Sequence, residues 1–341
     1  MSHKAVFFNL EPWAQEYLQK NSALSGAGVD VGFVNGIIDK NHPASDQNFD
    51  ILGTFVDSAA DAAVIAALPN LKHIATLSTG YDHIDLHACA ARGITVSYVP
   101  TYGENTVAEY TFGLMLALSR KICEARDRVK MEGSFRLDGL RGFDLMGKTL
   151  GVLGTGHIGA HVARAAKAFG MNVVAFDAFP NAALATELGF EYKPLADVLT
   201  QSDIVTIHVP YLPSTHHLIN AENIGLMKQG AYLINTARGA VVDTDALVMA
   251  LKDGKLGGAG LDVLEEEGIL KDELSFLVKN QMQGHDLKVV LEARALIDMP
   301  NVIITPHNAF NTKEAFMRIL DTTIGNIIGF TSGTPTNLVK A

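Results

Sequence analysis

The sequence predicts an α/β protein made of two doubly wound parallel-sheet domains, on three observations. Strand-like apolar runs alternate with amphipathic stretches twice along the chain, the alternation breaks once near Pro100, and 341 residues exceed what one compact core usually supports. In the first hundred residues, AVFFNL (5–10), VDVGFV (29–34), ILGTFV (51–56), KHIATL (72–77) and ITVSYV (94–99) read as strands. SAADAAVIAALP and DLHACAAR lie between them with helical spacing. After Pro100, VPTYGEN runs into a helix candidate at 105–131 that is too long for a simple crossover and marks a domain joint. The second alternation comprises TLGVLG (149–154), MNVVAF (171–176), DIVTIHV (203–209), GAYLIN (230–235), GGAGLDV (257–263) and NVIITP (301–306), the strand count of a full doubly wound sheet. A last helix candidate, TKEAFMRILDTTIGNIIGF, is placed to cross back to the first domain. Residues 268–299 form a long intervening segment, helical at its end, that reads as an insertion over a site or interface or as a surface excursion.

Bulk properties exclude several classes of function. With 48% hydrophobic and 19% charged residues the chain is neither disordered nor fibrous, and a net charge of −10 with scattered lysines and arginines offers no footprint for nucleic acid. Cys89 and Cys123 stand outside any metal-ligand spacing, so no metal is expected and a reducing cytoplasm fits better than secretion. The start, MSHKAVFFNLEPW, is too short in apolar residues for a signal peptide, and no apolar run of about 18 residues predicts a membrane span.

Chemistry enters at Gly154-Thr155-Gly156-His157-Ile158-Gly159, a GxGxxG between the apolar run TLGVL and the helical HVARAAKAFG. The first glycine allows the tight turn, the second lets backbone approach a pyrophosphate, and the third permits close helix–strand packing. A helix N-terminus then faces the phosphates. Asp177 ends the following strand, where a carboxylate accepts hydrogen bonds from ribose hydroxyls and repels a 2′-phosphate. Ala178, Phe179 and Pro180 supply no arginine to receive such a phosphate, so the expected cofactor is NAD rather than NADP.

Three strand ends downstream carry groups suited to a carbonyl substrate. Arg238, in INTARGAVVD, precedes a helix that Asp243 is placed to cap; its planar fork fits a carboxylate, although such an arginine alone is more often a solvated ion pair. Glu265, Glu266 and Glu267 form a run that is usually a solvated loop, and spacing alone does not choose among them. His307, in VIITPHNAF, is the best available proton donor, since imidazole titrates near neutrality and a neighbouring carboxylate stabilises its charged form.

With these residues in hand, the chain resembles the D-2-hydroxyacid dehydrogenase family over essentially its whole length, closest to the D-lactate and D-hydroxyisocaproate dehydrogenase branch. The likeness is carried by STGYDHID (78–85), VPTYGENTVAEY (99–110), GKTLGVLGTGHIG (147–159), HVP (208–210), NTARGAVVD (235–243), GLDVLEEE (260–267) and PNVIITPHNAF (300–310). It implies two Rossmann-like domains with a cleft that closes over the reactants: 1–102 plus 308–341 as the substrate domain, 103–307 as the NAD domain. It implies that Arg238 orients the substrate, that His307 is the general acid and base, and that Glu267, five places after Asp262, is its partner. It puts the backbone amides of Thr79 and Gly80 on the substrate carboxylate. Asp262 goes to the nicotinamide region, and His208, Val209, Pro210, Thr236 and Ala237 join it as cofactor contacts. Tyr102 matches an active-site tyrosine. Phe55 stands where the branch commonly has tyrosine, and Gly103-Glu104 replaces its usual Ser-Pro. Phe55, Tyr102 and Phe310 are the candidate walls around the substrate side chain.

The implied function is NAD-dependent, reversible reduction of a 2-oxo acid to a D-2-hydroxy acid, with a homodimer expected through the NAD domain. Formate dehydrogenase-like relatives carry glutamine where Glu267 stands, and phosphoglycerate enzymes usually append a regulatory domain after the last helix. A non-catalytic NAD-sensing protein of corepressor type is the rival from another class.

Overall fold

The computed structural model describes residues 2–267 and 287–339. The chain divides into two compact units, Met1–Tyr102 with Thr312–Ala341, and Gly103–Asn311, so that Phe310 falls in the same unit as His307.

In the first unit β1 (His3–Phe8), β2 (Val29–Val34), β3 (Ile51–Thr54), β4 (His73–Thr76) and β5 (Thr95–Ser97) form a wholly parallel sheet in the order β2-β1-β3-β4-β5. Helices α1 (Pro12–Gln19), α2 (Ser22–Gly26), α3 (Ala62–Ala67) and α4 (Leu86–Ala91) connect them. β1 starts and ends two residues before the expected AVFFNL, and its end is set where Asn9 turns left-handed, with φ 54. Asn21, Asp61 and Asp85 cap α2, α3 and α4 by accepting first-turn amides, which is why these short helices start where they do. On one face of the sheet, Val6, Phe8, Leu52, Ile74 and Val96 pack with Ile65 and Leu68, at the period of two that a strand imposes.

The final helix, Lys313–Thr331, belongs to this unit, and specific contacts explain why. Asn326 donates its Nδ2 to the Tyr98 carbonyl at 3.0 Å, and Val339 N–H donates to the Val96 carbonyl at 2.8 Å, next to a bridge between Ser97 and Leu338. Phe330 stacks on the buried His73 ring with centroids 4.5 Å apart and planes 10° from parallel. His73 also meets the Thr95 and Ser97 hydroxyls at 2.8 and 3.0 Å, and burial pushes its pKa down to about 4. The unfolded chain therefore binds this proton more readily, so stability is full above the ordinary histidine value of 6.5 and is lost as pH falls toward 4. At about 1.4 kcal/mol per pH unit the loss approaches roughly 3 kcal/mol. Trp13 is the sole tryptophan and sits in this unit, so its fluorescence reports the unfolding. The melting temperature followed this way is expected to drop between pH 6.5 and 4.5, and His73→Phe to flatten that slope; equal slopes in the two proteins would show that His73 contributes nothing.

The second unit contains a seven-stranded parallel sheet in the order β12-β11-β10-β9-β6-β7-β8. Its strands are β6 (Thr149–Leu153), β7 (Asn172–Phe176), β8 (Glu191–Tyr192), β9 (Ile204–Ile207), β10 (Ala231–Asn235), β11 (Leu256–Leu261) and β12 (Val302–Ile304). This is one strand more than the sequence indicates. β8 is only two residues long, too short for a visible alternation, yet it takes the third position of the doubly wound order by pairing with Val174 and Ala175. Helices cover both faces: Leu233 packs into one core with Val205 and Leu247, its neighbour Ile234 into the other with Val152 and Met115.

The long helix expected at 105–131 is two helices, α5 (Glu104–Ser119) and α6 (Ile122–Glu132). Lys121 lies between them at φ 51, in the left-handed region. The Ser119 carbonyl, instead of continuing the helix, accepts from Phe143 N–H at 2.8 Å, and a Cβ on Gly142 would stand 1.9 Å from that oxygen. Of the 268–299 segment, 287–298 is a helix as expected, and 268–286 lies outside the described residues. No described helix is long and apolar enough to cross a membrane.

Candidate active site

Because the strands are parallel, the turns after β6, β7, β9, β10, β11 and β12 all leave the same edge of the second sheet. After β6, Gly154 adopts φ +92, where a Cβ would come within 2.8 Å of the His208 carbonyl carbon. A Cβ on Gly159 would strike the Gly154 oxygen at 1.9 Å, so both positions require glycine. Gly156 differs: a Cβ there meets nothing within 4 Å. It is the N-cap of α7 (His157–Ala168) and has no side chain to satisfy the first-turn amides, which leaves a helix N-terminus suited to a pyrophosphate.

Asp177, at the end of β7, is locked to this turn. Its Oδ2 accepts from Thr155 N–H at 2.6 Å and Thr155 Oγ1–H at 2.9 Å, and its Oδ1 accepts from Phe179 N–H at 2.9 Å. The Tyr192 hydroxyl, from the unforeseen β8, reaches Thr155 Oγ1 at 2.7 Å. After β9, His208 contacts Thr206 Oγ1 at 2.9 Å, and burial pushes its pKa down to about 3, so the ring is neutral. A fixed carboxylate at the end of β7 suits two ribose hydroxyls and opposes a phosphate. NADH is expected to be preferred over NADPH by about a hundredfold or more, since like charges in contact cost several kcal/mol. Asp177→Ala should narrow the ratio of catalytic efficiencies, and equal efficiencies in the unmodified protein would overturn this reading.

Beyond β10, buried Asn235 shapes the arginine turn: its Oδ1 accepts from Ala237 N–H at 3.0 Å and its Nδ2 donates to the Arg238 carbonyl at 2.9 Å. The half-buried Arg238 guanidinium donates to the Ala237 carbonyl at 2.8 Å. Asp243 caps α10 (Thr244–Lys252) through Ala246 N–H, as its position predicts.

After β12 the chain makes the turn that carries His307, which is left-handed at φ 53. Strain of this kind persists only where the surroundings over-determine it. Here Asp262, 1% exposed, accepts from the Thr305 hydroxyl and from Asn308 and Ala309 N–H, both at 2.8 Å, while its carbonyl accepts from His307 N–H at 2.8 Å. Burial raises the Asp262 pKa, against these donors, which favour the ionised form. The structure thus places Asp262 beneath the histidine turn as its anchor, a role that no spacing in the sequence indicates. His307 Nδ1 lies 2.7 Å from Glu267 Oε1, and the Phe310 ring meets the imidazole edge-on at 6.4 Å. Among the three acids, Glu267 is the one at His307; Glu265 goes to His217, a contact the sequence does not reveal. Arg238 and Glu267 line one concavity of about 300 Å³ with Tyr211, Gly239 and Leu264.

The first unit carries the remaining candidates, each following the carboxyl end of neighbouring strands. Phe55 follows β3 and packs 6.3 Å from Phe316. Thr79 and Gly80 follow β4; Thr79 Oγ1–H donates to the Val99 carbonyl at 2.7 Å, and Ser78 Oγ–H donates to the Gly80 carbonyl at 2.6 Å. Tyr102 follows β5 and its carbonyl accepts from Arg318 Nε–H at 2.6 Å.

Known proteins resemble the chain in sequence and in fold. Residues 112–309 match the family described as D-isomer specific 2-hydroxyacid dehydrogenase, NAD binding domain. The chain is 37% identical to 2-hydroxyacid dehydrogenase homolog 1 of Schizosaccharomyces pombe, over 99% of each protein. Its fold superposes on the pyruvate reductase of Chlamydomonas reinhardtii with a TM-score of 0.85 at 38% identity, covering 98% of each chain. The D-lactate dehydrogenase of Aquifex aeolicus, complexed with NAD and lactic acid, gives a TM-score of 0.82 at 37% identity, covering 97% of this chain and 96% of that one. The chain therefore belongs to the D-isomer specific 2-hydroxyacid dehydrogenase family, as an oxidoreductase that uses NAD.

Proposed function

We propose that this protein reduces 2-oxo acids with apolar side chains to D-2-hydroxy acids, reversibly, with His307 as general acid and base. The observation that carries the reading is the His307–Glu267 pair, 2.7 Å apart on a turn anchored by Asp262. Bound NADH supplies the hydride that the carbonyl carbon receives. His307 donates its proton to the carbonyl oxygen in reduction and takes it back in oxidation; Glu267 holds the imidazolium in place. Arg238 binds the substrate carboxylate through its fork, with the Thr79 and Gly80 amides on the same group, and polarises the adjacent carbonyl. Asp177, Thr155 and the glycine turn hold the adenosine and pyrophosphate half of the cofactor; His208, Val209, Pro210, Thr236 and Ala237 line its path.

Phe55, Tyr102 and Phe310 are the proposed walls for the substrate side chain, and none of the three carries a cation. Burying a methylene there gains about 0.8 kcal/mol, whereas a second carboxylate or a phosphate loses its hydration without a partner. Phenylalanine at 55 favours side chains larger than methyl. Catalytic efficiencies with pyruvate, 2-oxoisocaproate, phenylpyruvate and oxaloacetate, with chiral analysis of the products, test the reading. Pyruvate and the larger apolar acids should turn over to D-products and oxaloacetate poorly. An oxaloacetate preference or an L-product would overturn it, and NADH binding without turnover of any 2-oxo acid would favour a sensing role.

The protein is further proposed to work in the cytosol as a homodimer. Apolar side chains on and beyond α6 support the dimer: Met131, Phe135 and Leu137 are 79%, 85% and 82% exposed. A monomer in sedimentation equilibrium at micromolar concentration would refute it.

A further inference from the structure

The first residue of the acid run has a task of its own. Glu265 is largely buried, and its two carboxylate oxygens face different elements. Oε1 lies 2.8 Å from His217 Nε2; Oε2 accepts from Thr244 N–H at 3.1 Å and from the Thr244 hydroxyl. Thr244 opens α10, so the carboxylate satisfies an otherwise unpaired first-turn amide at the positive end of a helix. His217 is itself left-handed, at φ 48, and its N–H donates to the Ala240 carbonyl at 2.9 Å, two residues past Arg238. Its ring is stacked on His216 at 3.9 Å, and its Nδ1 stands 4.0 Å from Asp243 Oδ2. The arginine turn and the acid loop also touch directly: a Cβ on Gly239 would lie 2.0 Å from the Leu264 carbonyl carbon. Glu266 adopts φ 54, and beyond it Glu267 reaches His307.

We propose that Glu265 is a positioning residue for the reaction: through His217 and Thr244 it clamps the loop that presents Glu267 to His307 and the turn that presents Arg238. This inference rests on the proposed roles of those three residues. It separates Glu265 from the neighbour it resembles, since Glu267 acts on the imidazole and Glu265 on the backbone that carries Glu267. Among the described residues, the charged and titratable groups at the clamp are His216, His217 and Asp243, and those at the imidazole are Glu267 and Asp262.

The test compares Glu265→Ala, Glu265→Gln and His217→Ala with the unmodified protein, reading the pH profile of pyruvate reduction, with NADH binding as the check on folding. Glu265→Ala is expected to lower kcat/KM by about tenfold to a hundredfold, the effect of a slightly misplaced reacting group. It should also move the alkaline limb of reduction to lower pH, because Glu267 no longer stays on the imidazolium. Glu265→Gln keeps an acceptor for Thr244 and a polar partner for His217, and should recover most of the activity and the original limb. A Glu265→Ala protein that binds NADH and retains both the original limb and the original kcat/KM overturns the proposal. Should that variant fail to bind NADH, His217→Ala decides in the same way: a lowered limb supports the clamp and an unmoved one overturns it. An unmodified protein with no alkaline limb at all removes the His307 reading itself, and this inference falls with it.

Discussion

His307→Gln is expected to lower kcat for 2-oxo acid reduction by about a hundredfold to ten-thousandfold, the range supplied by a positioned general acid. Glutamine preserves a hydrogen-bonding side chain of similar reach but gives up no proton. The Asp262 contacts that build the turn use the backbone of residues 307–309, so the substitution leaves them in place. NADH binding, which the proposed function assigns to the turns after β6, β7, β9 and β10, should be retained. The sign of the pH dependence follows from the proposed role of His307: reduction would need the imidazolium and fail as pH rises, whereas oxidation would need the neutral ring and fail as pH falls. His307→Gln should flatten both profiles, while Glu267→Gln, which removes a charge 2.7 Å from the ring, should keep the limb for reduction but move it to lower pH. Steady-state rates in both directions across pH 5–9 decide the matter, and a glutamine variant within a factor of about three of the parent would exclude His307 as the proton donor.

Arg238→Gln should be nearly as damaging, by about a thousandfold in kcat/KM, because in the proposed mechanism it removes both the charge that binds the carboxylate and a donor that stabilises negative charge developing on the carbonyl. The two contributions separate in the kinetics. Lost carboxylate binding raises KM, and lost polarisation lowers kcat. Arg238→Lys tests the fork itself: it keeps the charge but not the bidentate geometry, so it should recover part of the affinity and little of kcat. Asn235 and its contacts to residues 237 and 238 hold the turn through backbone and are unaffected by either change. A lysine variant indistinguishable from the parent would show that only charge matters at 238.

The glycine turn was readable because its constraints are local. Gly154 needs its left-handed backbone and Gly159 its missing Cβ whatever surrounds them, so strand, turn, helix and distal Asp177 appear in order along the chain. Most strands were readable for the same kind of reason, since burial on both faces leaves continuous apolar runs. What escaped depended on partners outside the element's own stretch of sequence. β8 exists only because Glu191 and Tyr192 find the edge of β7, and the helix candidate at 105–131 breaks because Phe143 captures the Ser119 carbonyl.

At the site the division runs between residue type and assignment. An arginine, a run of acids and a histidine at strand ends already indicate carbonyl chemistry beside a dinucleotide, because few side chains offer a fork or a proton near neutral pH. Composition and spacing by themselves left Glu265, Glu266 and Glu267 equivalent. Tertiary structure distinguishes two of them by direction: Glu265 returns to His217 and the first amide of α10, and Glu267 continues to His307. It likewise commits Asp262 to the turn that holds His307 left-handed, with a carboxylate that accepts from residues 305, 308 and 309. A side chain's chemistry is a property of its type and is visible in the sequence. Which partner it meets depends on where a long intervening stretch of chain returns, and only the packed fold decides that.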